Sequence, residues 1–287
     1  MEIIGGQKIW TFAGDQPAAV NMTCGAIRNG AAHRVYSFMD LAKKVAELQF
    51  RNRDFVLMFR GQGGDYRNKA KASSIKSTLM RASSSTRVPR EAQIRARFDH
   101  LARAERILVE EYRSRKLLGR ERLERQQILR WAILQHYEIC PTPLLDVTQS
   151  LRIAASFASL ANPAEAFLFV LGIPHISGAI TASAEAGLQV VRLASVCPPS
   201  AVRPHIQEGY LLGEYPDFSS AEQKLHYSHF EMDFARRLIA KFSFAPATFW
   251  EKSGNFPQVP EKALYPRDAH DPMCELADTL KQAVGDE

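Results

Sequence analysis

Four short groups of residues carry side chains suited to chemistry. The first is Arg60-Gly61-Gln62, which follows the apolar run Asp54 to Phe59 (DFVLMF). A guanidinium is a planar fork that grips phosphate through paired hydrogen bonds, and a neighbouring glycine lets backbone approach an anion closely. An arginine ending an apolar strand serves equally as half of a buried ion pair, with Asp146 as the candidate partner. The second group, Gln135-His136-Tyr137, places an amide, an imidazole and a phenol at the end of a helix. Tyr137 can stack on a heterocyclic base and His136 can bind a hydroxyl or a phosphate; a structural hydrogen-bonding role suits His136 as well. The third group is Asp146, Thr148 and Ser150, spaced by two, which share one face if the chain is extended. Asp146 or Thr148 can instead cap the helix that follows. The fourth is Gln207-Glu208. On a strand the two face opposite ways. If Gln207 is the inward one, Glu208 points outward and the site has an amide that orients a sugar but no negative charge, whereas an inward Glu208 would supply a carboxylate.

Other reaction centres are not written in the chain. Gly61-Gln62-Gly63-Gly64 lacks the Lys-Ser/Thr of a phosphate-binding P-loop, and there is no GxGxxG, GxSxG or HExxH pattern. His226 and His229 are three apart with no cysteine nearby, so no metal centre is expected. The four cysteines lie far apart without a CxxC pair, which argues against a zinc ribbon or a disulfide scaffold. The first residues do not read as a secretory leader, and the longest apolar run, Ala166 to Ile173, is far short of the ~20 residues of a membrane span. A reduced cytoplasmic compartment and no membrane association are expected.

Charge is unevenly distributed. The net charge is +6, yet residues 51–130 hold 21 Lys and Arg against 9 Asp and Glu. That bias suits a polyanionic partner such as nucleic acid or a phosphate-bearing cofactor. It also suits a solvated helix surface, since Glu91/Arg95, Asp99/Arg103, Glu111/Arg115 and Glu121/Arg125 each place acid four residues before base.

Hydrophobic periodicity sets the elements that must position these groups. Residues 36–50 and 94–112 repeat apolar positions at helical spacing, and a second helix is expected from Glu121 into His136, ended by Pro141 and Pro143. Residues 61–90 read as a loop with a short helix and a serine cluster at Ser83, Ser84 and Ser85. Ser150 to Leu160 is Ala-rich and helical; Ala166–Ile173 and Leu188–Leu193 read as strands. Phe230 to Phe242 reads as an amphipathic helix with Phe234, Leu238 and Phe242 on one side, and Met273 to Val284 as a closing helix. An α+β chain is the simplest account.

Three of these segments together resemble the FRG-domain family, a bacterial group named for its Phe-Arg-Gly signature. They are Phe59-Arg60-Gly61-Gln62 with Leu79-Met80-Arg81 downstream; QHYEICPTPLLDVTQS at 135–150 with Phe157-Ala158; and Arg203 with Gln207-Glu208-Gly209-Tyr210. Leu264-Tyr265-Pro266 resembles the family's closing element. Where the family pattern has Gly, Arg and Trp, this chain has Glu138, Pro143 and Val147. The order of elements is similar to that of ADP-ribosyltransferases of the Arg-Ser-Glu kind.

The resemblance implies an ADP-ribosyltransferase-like fold: a central mixed or antiparallel sheet with surrounding helices. It implies an N-terminal segment at 1–35 and an FRG-like domain at 36–287 with a helical insertion at about 91–138. NAD would be the substrate, with Gln207, Asp146 and Thr148 catalytic. Arg60, Gly61, Gln62, Gln135, His136, Tyr137 and Ser150 would bind the dinucleotide. The acceptor would be protein or nucleic acid, in a toxin or phage-defence effector with a partner from the same operon. The alternatives are an NAD glycohydrolase, or a non-catalytic module that binds nucleic acid or protein through residues 51–130.

Overall fold

A computed structural model describes residues 4, 7–82, 89–226, 232–268 and 270–285. In chain order, β1 (Lys8–Thr11) and β2 (Val20–Thr23) form an antiparallel hairpin. The Thr23 hydroxyl then accepts the Ala26 N–H and starts α1 (Cys24–Asn29). Next come β3 (His33–Arg34), α2 (Phe38–Arg51), β4 (Val56–Gln62) and a 3₁₀ turn at Thr78–Met80. The middle of the chain is α3 (Glu91–Ser114), α4 (Arg120–Arg125), α5 (Gln127–His136), β5 (Leu145–Thr148), α6 (Leu151–Ser159) and β6 (Ala166–Ile173). There follow β7 (Ile180–Ser183), β8 (Leu188–Arg192), α7 (Val202–Ile206) and β9 (Gly209–Glu214). The chain closes with β10 (Leu238–Phe244), α8 (Pro246–Glu251), α9 (Glu261–Leu264) and α10 (Pro272–Val284). The α+β class is as expected. The serine cluster at 83–85 and His229 lie outside the described residues.

Two compact units share the chain. The first comprises residues 1–75, 147–176 and 233–264; the second comprises 76–146, 177–232 and 265–287. In the first unit the strand order is β3-β10-β6-β4, parallel between β3 and β10 and antiparallel elsewhere, so the sheet is mixed. β6 and β10 are buried on both faces; β6 therefore reads as an apolar run, whereas β10 also carries Lys241 and Ser243. β4 packs against α6 with unusual closeness at Gly61. A Cβ there would lie 1.8 Å from the Ala154 carbonyl oxygen and 2.8 Å from the Ala158 nitrogen.

A second feature of this unit is a buried ionic network. The Arg28 guanidinium donates to Asp233 at 2.7 Å, both side chains being 3% exposed. Asp233 also accepts the N–H groups of Ile75 and Ala235. Nearby, the Lys241 ammonium donates to the Arg28 carbonyl, Asp65 and the Ser73 hydroxyl. Burial lowers the Lys241 pKa and the Asp65 carboxylate opposes that shift.

The second unit sets the antiparallel strands β7, β8 and β9 with helices α3, α5 and α10. Its core gathers Phe98, Leu108, Tyr112, Trp131, Leu134, Leu211 and Leu276. Glu105 of α3 is the polar hub between helices: Gln127, Arg130 and the Trp131 indole N–H all donate to it. The helix expected from Glu121 to His136 is two helices, with Gln126 extended (φ −121°, ψ 106°) between them.

One expectation is overturned. Residues 230 and 231 lie outside the described residues, and residues 232–242 are not an amphipathic helix; a 3₁₀ turn at Phe234–Arg237 leads into β10. Phe234, Leu238 and Phe242 are four apart, a spacing that also fits alternate positions of a strand, and the sheet supplies β10 with neighbours on both sides.

Candidate functional site

The signature arginine does not end its strand. β4 continues through Arg60, Gly61 and Gln62, which pair with Phe169, Leu168 and Phe167 of β6. Phe169 pairs onward with Lys241, so Arg60, Phe169 and Lys241 form one cross-strand row in the first unit. Gly61 alternates to the other face, where the space of its missing side chain is filled by the α6 backbone. The glycine is therefore accounted for by strand–helix packing. Thr148 pairs directly opposite Phe59, which places it on the α6 face with Phe59 and Gly61 and opposite to Arg60. Its hydroxyl accepts the N–H of Ser150, the N-cap of α6, so Thr148 prepares the helix start and Ser150 makes no side-chain cap of its own.

The Gln-His-Tyr group and the late Arg…Gln-Glu-Gly group meet in the second unit. Gln135 is a three-way clasp: its amide oxygen accepts from the Thr78 and Thr142 hydroxyls at 2.9 and 2.8 Å, and its amide nitrogen donates to Asp146 at 2.7 Å. His136 is 2% exposed, with Nδ1 3.9 Å from Asp146, an electrostatic contact too long for a hydrogen bond. The ring also lies near Gly209, where a Cβ would come 3.4 Å from the imidazole Cε1. A Cβ at Gly209 would crowd Leu193 Cδ1 at 2.9 Å and would only touch the imidazole, so the late-motif glycine neighbours His136 without being required by it. Tyr137 caps α5 and lies edge-on to His136 at 5.3 Å between ring centres.

Arg203 of α7 completes the cluster. Its guanidinium sits over the rings of Tyr137 at 5.5 Å and Tyr265 at 4.7 Å, and donates to Glu138 at 3.2 Å. Asp271 accepts the Val202 N–H that begins α7 and the Met273 N–H that begins α10, and so fixes the helix that carries Arg203. Among the described residues, His136 Nε2, the Tyr137 hydroxyl and Arg203 Nε are buried without a hydrogen-bond partner. A cleft of about 290 Å³ adjoins the cluster, lined by Thr78, His100, Gln135, Glu138 and Cys140 among others.

Gln207 is buried and Glu208 exposed, though not through strand alternation. Gln207 is the C-cap of α7 and Glu208 a left-handed turn residue (φ 45°), and the strand begins only at Gly209. Sequence reasoning gave no role to Arg203, Glu138 or Tyr265. Their signal was present in the late arginine and the closing Tyr-Pro, but residues more than sixty positions apart had to be brought together before the arginine–aromatic clamp could be seen.

Burial sets the protonation of this cluster. It lowers the His136 pKa below the ordinary 6.5, only partly offset by Asp146, so the imidazole is neutral at pH 7. Tyr137 is pushed up by burial, and Tyr265 up to about 12 by burial and then by the Glu138 charge. The unfolded chain protonates this histidine before the folded one does, so the stability it supports is complete above pH 6.5 and is lost as pH falls towards the folded value. Urea unfolding at about pH 7.5 and 5.5 is expected to show lower stability at the lower pH. His136→Gln should remove its share of that difference and leave the share of His33, which burial also lowers. An unchanged difference in the variant would refute the assignment.

Six arginines of the basic stretch have partners within the second unit. Arg97 donates to the Leu79 and Arg81 carbonyls, Arg103 to Ala283, Arg113 to Glu124, Arg115 to Glu111 and Thr279, and Arg130 to Glu105. Arg95 pairs with Glu91 and Glu222. Among the described residues no helix is long and apolar enough to cross a membrane.

No curated protein and no solved structure matches the chain. Residues 56–166 match the family model described as the FRG domain, a span that includes both the Phe59-Arg60-Gly61 strand and the Gln135-His136-Tyr137 cluster. Over that segment, which carries the Phe-Arg-Gly arginine in mid-strand, the chain is similar to the FRG domain.

Proposed function

We propose that the chain is an NAD-dependent mono-ADP-ribosyltransferase with an ADP-ribosyltransferase-like fold, acting on a protein or nucleic-acid acceptor. The observation that carries this reading is the meeting of the middle and late motifs, with His136 against Gly209 and Asp146 held by Gln135. Transfer breaks the bond between nicotinamide and C1′ of the ribose and forms a bond from C1′ to the acceptor nucleophile, whose proton must leave. The transition state has oxocarbenium character and is stabilised by fixed negative charge and by oriented dipoles. Asp146, half-exposed and clasped by the Gln135 amide, suits the first task. Gln207 suits the orientation of a ribose, and Arg60 the binding of pyrophosphate. With water as acceptor the same chemistry is NAD hydrolysis.

The setting that fits is a bacterial toxin or phage-defence effector, working in the cytoplasm with a partner encoded beside it. The rival, a non-catalytic module binding through residues 51–130, is less favoured because several of its arginines are spent on intramolecular contacts.

The test is incubation of the protein with adenylate-labelled NAD and total cell lysate. Label on protein or nucleic acid together with free nicotinamide is expected. Nicotinamide without label would identify a glycohydrolase, and neither would overturn the enzyme reading. Arg60→Lys keeps the charge but loses the planar fork, and should weaken NAD binding by ~1.5–3 kcal/mol, the scale of a charge-assisted hydrogen bond, without changing the melting temperature much. Unaltered NAD affinity in that variant would remove Arg60 from the site.

A further inference from the structure

Glu138 occupies a position that its residue type does not explain. Its backbone is left-handed (φ 55°), a conformation that suits glycine and costs other residues free energy. The side chain is 56% exposed and lines the 290 Å³ cleft, yet its carboxylate reaches Arg203, which is 12% exposed and is not part of the cleft wall. The same carboxylate helps to raise the Tyr265 pKa. The arginine thus lies over two aromatic rings with its Nε buried and unpartnered, and its carboxylate partner is a side chain that lines the open space.

A guanidinium clamped in this way has lost most of its conformational freedom already, so it binds an oxyanion with little further ordering. We propose that Arg203 is the anchor for a phosphoryl group of a ligand held in this cleft, and that the Glu138 carboxylate is a resident substitute which that group displaces. The phosphoryl group could belong to a nucleotide, in which case the inference rests on the NAD reading, or to free phosphate. The two sources share the chemistry of an anionic, multiply accepting oxygen group, and they are separated by the choice of probe.

Calorimetric titration of the full chain with inorganic pyrophosphate and with ADP-ribose provides the test. Glu138→Gln removes the competing charge and should tighten pyrophosphate binding about fivefold, the equivalent of one exposed ion pair. Adding Arg203→Lys to that variant should abolish the gain. Tightening for ADP-ribose well beyond that for pyrophosphate would identify a nucleotide, and equal tightening would identify a free-phosphate site. Glu138→Gly, which suits the left-handed backbone, is the second variant and should show the same gain with an unreduced melting temperature. Absence of tightening in both Glu138 variants, or a gain that survives Arg203→Lys, would overturn the proposal. Nicotinamide release is measured separately, so failure of the NAD reading leaves a distinguishable result.

Discussion

Gly61→Ala is expected to cost the first unit about 3 kcal/mol or more, at the upper end of what added core atoms cost elsewhere. The reason is the identity of the atoms in the way. The new methyl would meet the Ala154 carbonyl at 1.8 Å and the Ala158 nitrogen at 2.8 Å, and both belong to a helix backbone rather than to the movable end of a side chain. Relief requires β4 and α6 to part, which would expose Phe59 and disturb the pairing of β4 with β6. Urea unfolding and soluble yield report the effect. A variant as stable as the parent would refute the close approach. The prediction also bears on the Phe-Arg-Gly signature, since it assigns the glycine to packing while leaving the arginine to its own test.

Asp233→Ala is the second large effect, with ~3–5 kcal/mol of stability lost, as when one member of a buried pair is removed. Three donors depend on this carboxylate: the Arg28 guanidinium and the N–H groups of Ile75 and Ala235. Its deletion removes the carboxylate that is ion-paired with the buried Arg28 guanidinium. Arg28→Met in the same background should recover part of the loss, because it removes the buried charge. If the double variant were no more stable than Asp233→Ala alone, the charge would not be the cause.

The fold was legible where one physical signal dominated. Ala166–Ile173 is apolar throughout because it is covered on both faces, and the strand has those bounds. Met273 to Val284 repeats at threes and fours, and Asp271 and Pro272 mark its start. Reading failed where two signals share a spacing. Phe234, Leu238 and Phe242 satisfy a helix face and a strand face alike, and only the neighbours β3 and β6 decide between them. Arg60 appeared to end its strand because polar residues follow it, but the ladder to Phe167 continues past the change in composition.

For the candidate site, order along the chain revealed the Gln-His-Tyr and Gln-Glu-Gly groups, and the approach of His136 to Gly209 joins them. Gln207 is buried by a helix end and a tight turn, not by strand alternation. Arg203, Glu138 and Tyr265 were out of reach of any local pattern, because their relation depends on Asp271 fixing the start of α7.

The place of β10 has a consequence for how the protein is made. It lies between β3 and β6, yet it is the last strand to be synthesised. At ~5–20 residues per second, a ribosome reaches Leu238 roughly 3–13 s after it finishes Ile173. Throughout that interval β6 has one unpaired, wholly apolar edge, and β3 has no partner at all. An emerging chain in this condition is an attractive client for chaperones that shield sticky strand edges, and a hazard at high expression. Slower growth temperature or added holdase should therefore raise the soluble fraction without any change in the finished protein's stability.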